Sequence, residues 1–472
     1  MDLFWKVIEY TNYFILAFLL LQSVIHLLQL FFAFIEVRYF RHTAPRTDPW
    51  WMLTSGVSKP ISILVPAYNE AETIVENAKS MLSLHYPEFE VIVINDGSTD
   101  GTLEEIKRGL NLKPVDRAWH MEVPCADVRG LYGSDEYPRL LVVDKENGGK
   151  ADALNAGINL SRYPLFCAVD ADSLLDHDSL LQVMRPFVEE PEEMIAVGGR
   201  LAIVNGCKVD SGQVVEVGLP KKLFPLLQSI EYIRAFLMAR LAWSRLNAML
   251  IISGAFGLFK RAAAIKVGGY SNDTVGEDME IVVKLHRYFR EHNIPYQMRY
   301  VPDSVCWTQA PEGYSVLATQ RCRWQRGMLQ TLWKHRTMIF NPMYGRVGIV
   351  GMGYFFFMDV VAPIVEILGY ILVPLAYLND RVSFDFFLAY MAITFAYGVF
   401  LSTGALLLDM LVTRTVRARD LAMLTVSAIM ENFGYRQWNN WWRLEGFYQF
   451  FTRRTDWGAM PRTKHEQSSL RK

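Results

Sequence analysis

Apolar positions along this chain fall into two regimes. Toward the ends they form long unbroken runs, whereas in the middle they come as short blocks separated by polar turns. Residues 13–35, "YFILAFLLLQSVIHLLQLFFAFI", match the ~20 apolar residues that cross a bilayer. No small-residue cleavage site follows, so the segment reads as an anchor and not as a signal peptide. Gln22, His26 and Gln29 recur at spacings of four and three, which puts them on one helical face expected to meet other helices. Residues 347–378 and 384–412 predict two further spans joined by the turn "NDRVS". Asp359 and Glu366 lie in the first of these, where they either face a wet passage or pair with neighbours.

Charges at the flanks predict orientation. Arg38, Arg41 and Arg46 follow the first span, and Arg414, Arg417 and Arg419 follow the third. The positive-inside rule places both groups, and the domain between them, in the cytoplasm. Residues 421–451 are aromatic-rich but carry Glu431, Arg436, Arg443 and Glu445. A crossing there would put the basic tail outside, so an interfacial or partly inserted helix is expected. Residues 223–250, and a stretch beginning near Gly313, show apolar positions at helical spacing with arginines among them. These predict amphipathic helices, resting either on the membrane surface or over a soluble core.

In the middle, "ISILV" (61–65), "VIVIN" (91–95), "LLVV" (140–143) and "LFCAV" (165–169) are continuous apolar runs, as in strands buried on both faces. Helix-like "EAETIVENAKSML" and "KADALNAGINL" lie between them. Such alternation predicts an α/β domain: a parallel sheet with helices on both sides, binding its ligand at the carboxyl ends of the strands. The predicted order is an anchor over 1–45, the α/β domain over 55–310, an amphipathic helix over 311–340, two spans over 345–415, and an interfacial segment with a basic tail over 420–472.

Composition changes this picture little. The 472 residues leave room for two or three domain-sized units, and 51% hydrophobic residues agree with a membrane protein. A formal net charge of −1 gives no case for a nucleic-acid partner. Cys125, Cys167, Cys207, Cys306 and Cys322 are scattered without metal-binding spacing, as expected of unpaired thiols in a reducing compartment.

The residues after each strand carry the candidate chemistry. The first run leads to "PAYNE" with Glu70, and the second to "DGSTDG" beginning at Asp96. The third leads through "NGGK" to Lys150, and the fourth to Asp170 and Asp172. "DGSTDG" alone is equally a strand-to-helix turn with an N-cap. Asp170 and Asp172, two apart, can point the same way, and a hard divalent cation takes one or two carboxylates together with phosphate oxygens. "GED" (276–278) places Glu277 and Asp278 at a helix start, where a carboxylate either complements the dipole or serves as a general base. Ser253 and Gly254 form a small-residue turn that a ligand could approach closely.

The ordered set "PAYNE", "NDGSTD", "NGGKADALN", "DAD", "GED" and "QRCRW" resembles the membrane-bound processive β-glycosyltransferases of family 2, which include the cellulose, chitin, hyaluronan and poly-N-acetylglucosamine synthases. The likeness covers roughly residues 60–335, and the single N-terminal span makes the poly-N-acetylglucosamine synthase type the nearest match. It implies a GT-A type, Rossmann-like domain in the cytoplasm of a multi-pass protein of the plasma (inner) membrane. Glu70 and Asp96 would hold the uridine of a UDP-sugar, with Lys150 beside the nucleotide. Asp170 and Asp172 would be the DxD pair, Asp172 holding Mg2+ or Mn2+, and Asp278 would be the catalytic base. Gln320, Arg323 and Trp324 match the Q-x-x-R-W signature: Arg323 would face the diphosphate and Trp324 would stack on the acceptor sugar. Ser253 and Gly254 would lie near the acceptor end. Arg321 and Arg326 are expected to be membrane or solvent contacts.

The implied reaction is inverting transfer from UDP-GlcNAc or UDP-glucose to a growing β-linked glycan, coupled to export, with an accessory export subunit as a further partner. The same motifs also accommodate transfer of one sugar to a lipid, giving a glycolipid. "GED" departs from the "TED" of the cellulose synthases, and no cyclic-dinucleotide-binding domain is expected after the last span.

Overall fold

The computed structural model describes residues 2–43, 50–413 and 417–453. Arg46, Arg414 and the tail from 454 on lie outside the described residues. Four strands begin where the continuous apolar runs begin, or within two residues of it: β1 (Ile61–Ala67), β2 (Phe89–Asp96), β5 (Leu140–Lys145) and β6 (Leu165–Ala168). The others are β3 (Lys113–Pro114), β4 (Val128–Gly133), β7 (Leu174–Leu175), β8 (Met194–Ile203), β9 (Lys208–Asp210), β10 (Gln213–Glu216), β11 (Gly257–Lys260) and β12 (Gln297–Thr308). Ten of them form one sheet in the order β3-β4-β5-β2-β1-β6-β11-β8-β12-β7. At its centre Ile61 lies opposite both Phe89 and Leu165.

The pairs β5–β2, β2–β1 and β1–β6 are parallel, as the apolar runs predict. The whole sheet is mixed, which corrects the expectation of a parallel one. β4 runs antiparallel at one side and is only half-buried, the ordinary condition of a strand near a sheet edge. β11 enters antiparallel between β6 and β8. The helix Lys150–Leu160 is buried from Ala151 to Leu160. Each fully buried aliphatic side chain of β1 and β2 contributes about 1.5–3 kcal/mol.

By contact density the described residues form two units: 41–43, 50–221 and 249–310, which hold the sheet, and 2–40, 222–248, 311–413 and 417–453, which are helical. Among the described residues three helices are long and apolar enough to cross a membrane, Phe4–His42, Val347–Leu378 and Phe384–Thr413. Within the helical unit Gln22 Nε2 donates to Glu366 Oε1 (2.9 Å) and Asn440 Nδ2 to Glu366 Oε2 (2.7 Å). Asp359 lies 3.2 Å from Arg443. Both acids thus pair with neighbours, and Glu366 also lines a small cavity with Gln22, His26 and Arg436.

Two helix boundaries differ from expectation. Residues 421–451 do not form one helix; Ala418–Met430 and Tyr435–Phe451 are separated at Gly434, whose φ of +100° few other residues would adopt. Residues 223–250 are helical only to Arg245, with a wider π-type turn over Ile233–Met238. The stretch beginning near Gly313 is the helix Tyr314–Lys334, buried from Leu317 to Leu332 along one side and exposed at Tyr314, Trp324 and Trp333. Leu227, Leu317, Cys322, Tyr435 and Trp442 form one buried cluster. Gly446 makes this close approach possible, because a Cβ there would sit 2.7 Å from Gln325 Cβ and 3.0 Å from the Cys322 carbonyl oxygen.

Candidate active site

The loops after β1 and β2 are pinned to each other. Asn69, in the left-handed region at φ +57°, accepts from the Thr99 N–H (2.9 Å) and donates its own N–H to Ser98 Oγ (3.0 Å). The N–H of the buried Glu70 donates to Thr102 Oγ1 (2.8 Å), and Glu70 Oε2 accepts from Thr73 Oγ1 (3.4 Å). Asp96, the last residue of β2, is buried; Oδ1 lies 2.6 Å from Lys145 Nζ, and the Gly148 and Gly149 N–H groups donate to Oδ1 (3.1 Å) and Oδ2 (2.8 Å). Lys145 ends β5 with 0% exposure, and its Nζ also lies 2.6 Å from Asp152 Oδ1. One buried cation thus joins two carboxylates, and the turn "NGG" is folded over the first of them. A carboxylate has about four acceptor positions. The three donors on Asp96 leave one on Oδ2.

The second cluster centres on Lys150, at the start of the next helix. Its Nζ lies 2.5 Å from Asp170 Oδ1 and 3.5 Å from Glu277 Oε1. Burial alone would lower the Lys150 pKa, but Asp170 and Glu277 outweigh it and hold the ammonium above its usual range. Burial pushes the Glu277 carboxyl up, against the pull of Lys150. The phenol of Tyr270 is raised well above its ordinary value, by burial first and then by the charges of Glu277 and Asp278.

Asp278 sits in the first turn of the helix Glu277–Glu291. Its Oδ2 accepts from the Gly254 N–H (3.3 Å), and its Oδ1 from the Met279 N–H (2.8 Å). A Cβ at position 254 would stand 2.8 Å from Lys150 Nζ and 3.5 Å from Asp278 Cβ, so a side chain there would push the ammonium from its place. Ser253 Oγ accepts from the Ala255 N–H (3.4 Å). Asp172 is half-buried two residues beyond Asp170.

Among the described residues no group of three or more His, Cys, Asp and Glu is arranged to hold a metal by itself. Asp170 and Asp172 are hard oxygen donors. That set suits a cation taking one or two carboxylates and completing its shell with phosphate oxygens and water.

The signature residues belong to the helical unit, on Tyr314–Lys334. Trp324 is 38% exposed and Arg323 half-buried. Arg321 and Arg326 correct the expectation of surface contacts, since both are buried. Arg321 NH2 lies 2.6 Å from Glu231 Oε2, and Arg326 NH1 donates to Gln449 Oε1 (3.4 Å). In the sheet unit, then, Lys150, Asp170, Gly254 and Asp278 come together, with Asp96 on Lys145 and the "NGG" turn. Sequence reasoning missed Lys145, Asp152 and Glu231. "DKENGG" reads as a solvated turn; its only signal was a lysine two positions past the apolar run "LLVV".

Two family models match the chain. "Glycosyl transferase family 2" covers residues 62–266, and "Glycosyl transferase family group 2" covers residues 165–401, half of the chain. A poly-beta-1,6-N-acetyl-D-glucosamine synthase from Staphylococcus epidermidis is 32% identical over 280 residues, 58% of this chain and 56% of the relative. One of the same description from Staphylococcus aureus (strain COL) is 31% identical over 268 residues, 57% and 54%. The chain therefore spans just over half the length of these curated relatives. Among solved structures, a mannosyltransferase from Pyrobaculum calidifontis in complex with GDP-Man and Mn2+ aligns with a TM-score of 0.53 at 18% identity. The alignment covers 89% of this chain and 99% of that one, and it shows the same fold.

Proposed function

The chain belongs to the glycosyl transferase family group 2, and we propose that it moves a sugar, with inversion, from a UDP-sugar of the UDP-GlcNAc or UDP-glucose type to the end of a growing β-linked glycan. The observation that carries this reading is the cluster in which Lys150 ties Asp170 to the helix bearing Asp278, with Gly254 packed against the Lys150 ammonium. A cation beside a strand-end carboxylate suits a diphosphate, and an acid hydrogen-bonded only to backbone amides suits a base.

In this reading Glu70 and Asp96 hold the uridine, Asp96 through its remaining acceptor position, and Lys150 keeps Asp170 in place beside the diphosphate. Asp172 would hold Mg2+ or Mn2+, which when bound supplies positive charge to the diphosphate. Asp278 takes the proton from the acceptor hydroxyl, and the oxygen attacks the anomeric carbon from the face opposite the leaving UDP. Ser253 and Gly254 border the acceptor end. Gln320, Arg323 and Trp324 complete the machinery: the planar fork of Arg323 suits phosphate, and the indole of Trp324 offers a face to a sugar ring. The three apolar helices and the arginines that flank them support a multi-pass protein of the inner membrane with its sheet unit in the cytoplasm, and a transfer coupled to export.

The test is to incubate membranes containing the full chain with a panel of UDP-sugars and Mg2+, reading UDP release and product mass. A ladder or high polymer is expected from one donor. A single glycolipid product would replace the polymer reading with single-sugar transfer, and no UDP release from any donor would overturn the proposal.

A further inference from the structure

Arg321 stands between the members of the signature and is not counted among them. Its side chain is 3% exposed, on a helix whose neighbours are apolar. Every contact of its guanidinium has a direction. NH1 donates to Gln320 Oε1 (2.9 Å), and NH2 lies 2.6 Å from Glu231 Oε2. The guanidinium carbon lies 4.3 Å from the centroid of the Trp324 ring. Glu231 is itself held, because Tyr435 Oη donates to Oε2 (2.6 Å) and Asn439 Nδ2 to Oε1 (3.3 Å). Phe236 meets the indole edge-on, with ring centroids 6.0 Å apart. The indole is therefore held on one side by the Arg321 guanidinium and at its edge by a phenyl ring, while 38% of the residue stays exposed.

We infer that Arg321 is a positioning residue: clamped by Glu231, Tyr435 and Asn439, it sets the orientation of both the Gln320 carboxamide and the Trp324 indole. The inference rests on the reading of Trp324 as the platform for the acceptor sugar. A ring free to turn about χ1 and χ2 would offer a sugar its edge as often as its face. The clamp confines it at no cost when the sugar arrives, which is what preorganisation means for binding. Lysine cannot substitute, because a single ammonium cannot hold Glu231 and Gln320 in one plane and lie flat on an indole as well.

Two readouts separate this inference from the functional reading. In the full chain labelled with 5-fluorotryptophan, the 19F resonance that disappears in Trp324→Phe identifies Trp324. Arg321→Lys and Tyr435→Phe are both expected to move or broaden that resonance, whereas Asp278→Asn leaves it in place. This result needs no turnover, so it stands even if no sugar is transferred. In the transfer assay, Arg321→Lys is expected to lower kcat/KM for the acceptor about tenfold or more, with the donor KM within about twofold of wild type. The double variant Arg321→Lys/Trp324→Phe is expected to be no worse than Trp324→Phe alone, since both act through one ring. An unmoved resonance in Arg321→Lys overturns the inference, as does an effect that multiplies fully with Trp324→Phe. If Arg321→Lys does not accumulate in membranes, Tyr435→Phe, which keeps the ring and removes only the hydroxyl that meets Glu231 and Arg321, decides by the same two readouts.

Discussion

Replacing Lys150 by methionine removes the charge that lies between Asp170 and Glu277, and its cost can be worked from the distances. At an effective dielectric of about 20, separations of 2.5 Å and 3.5 Å correspond to gross attractions of about 7 and about 5 kcal/mol. Taking three charges out of water cancels most of that. Removing one partner from such a group has a net cost of about 3–5 kcal/mol, and the 32% exposure of Asp170 favours the lower end. A loss of about 3 kcal/mol lowers the melting temperature of a unit this size by about 6–12 °C. The assay is thermal unfolding of the full chain in detergent, followed by intrinsic fluorescence and compared between Lys150→Met and Lys150→Met/Glu277→Gln. The second change takes away a buried acid left without its cation, so the double variant is expected to recover part of the loss. If the two substitutions destabilise independently, their effects simply adding, the ion-pair argument is refuted.

Asp278→Asn is expected to reduce transfer by about 10²–10⁴-fold while leaving UDP affinity unchanged; equal loss of both, read by turnover and by UDP titration, would make Asp278 structural. Burial raises the Glu277 pKa in the folded state, so its contribution to stability is full below the ordinary carboxyl value and is lost as pH rises through the raised one. The wild-type melting temperature should therefore fall relative to that of Glu277→Gln over that interval, and parallel profiles would contradict the assignment. Lys150 is held above its usual value, so the stability it brings is complete below about pH 10.5 and declines only in stronger alkali. Gly446→Val would drive a side chain against Gln325 Cβ and the Cys322 carbonyl, an overpacking expected to cost about 1–3 kcal/mol in thermal unfolding.

How far the sequence reveals this molecule depends on the distance over which each interaction is made. β1, β2, β5 and β6 were legible because strands buried on both faces must be apolar throughout, and the helix Lys150–Leu160 because it follows its strand directly. β4 was not, because "VRGLYG" on a half-buried edge has no clear period. β12 was not either: its pairing with β8 shifts register between Val301 and Val305, which interrupts the pattern. In the site, Lys150, Asp170 and Asp278 could be picked out by their position at strand and helix ends. Lys145 and Arg321 could not, since a lysine beside "ENGG" and an arginine in a basic octet both read as solvated. Only the fold brings Asp152 to the first, and to the second Glu231, ninety positions away.

The helix Tyr435–Phe451 has a consequence for how chains of this kind are delimited. Every motif lies before residue 325, and both family matches end by residue 401. A fragment cut at that point would look complete by any motif inventory. It would lack Tyr435 and Asn439, which hold Glu231, and Trp442 and Gly446, against which the signature helix is seated. Expression boundaries and chimeras drawn from the motif span alone would therefore keep every motif and lose the contacts that seat the helix carrying the last of them.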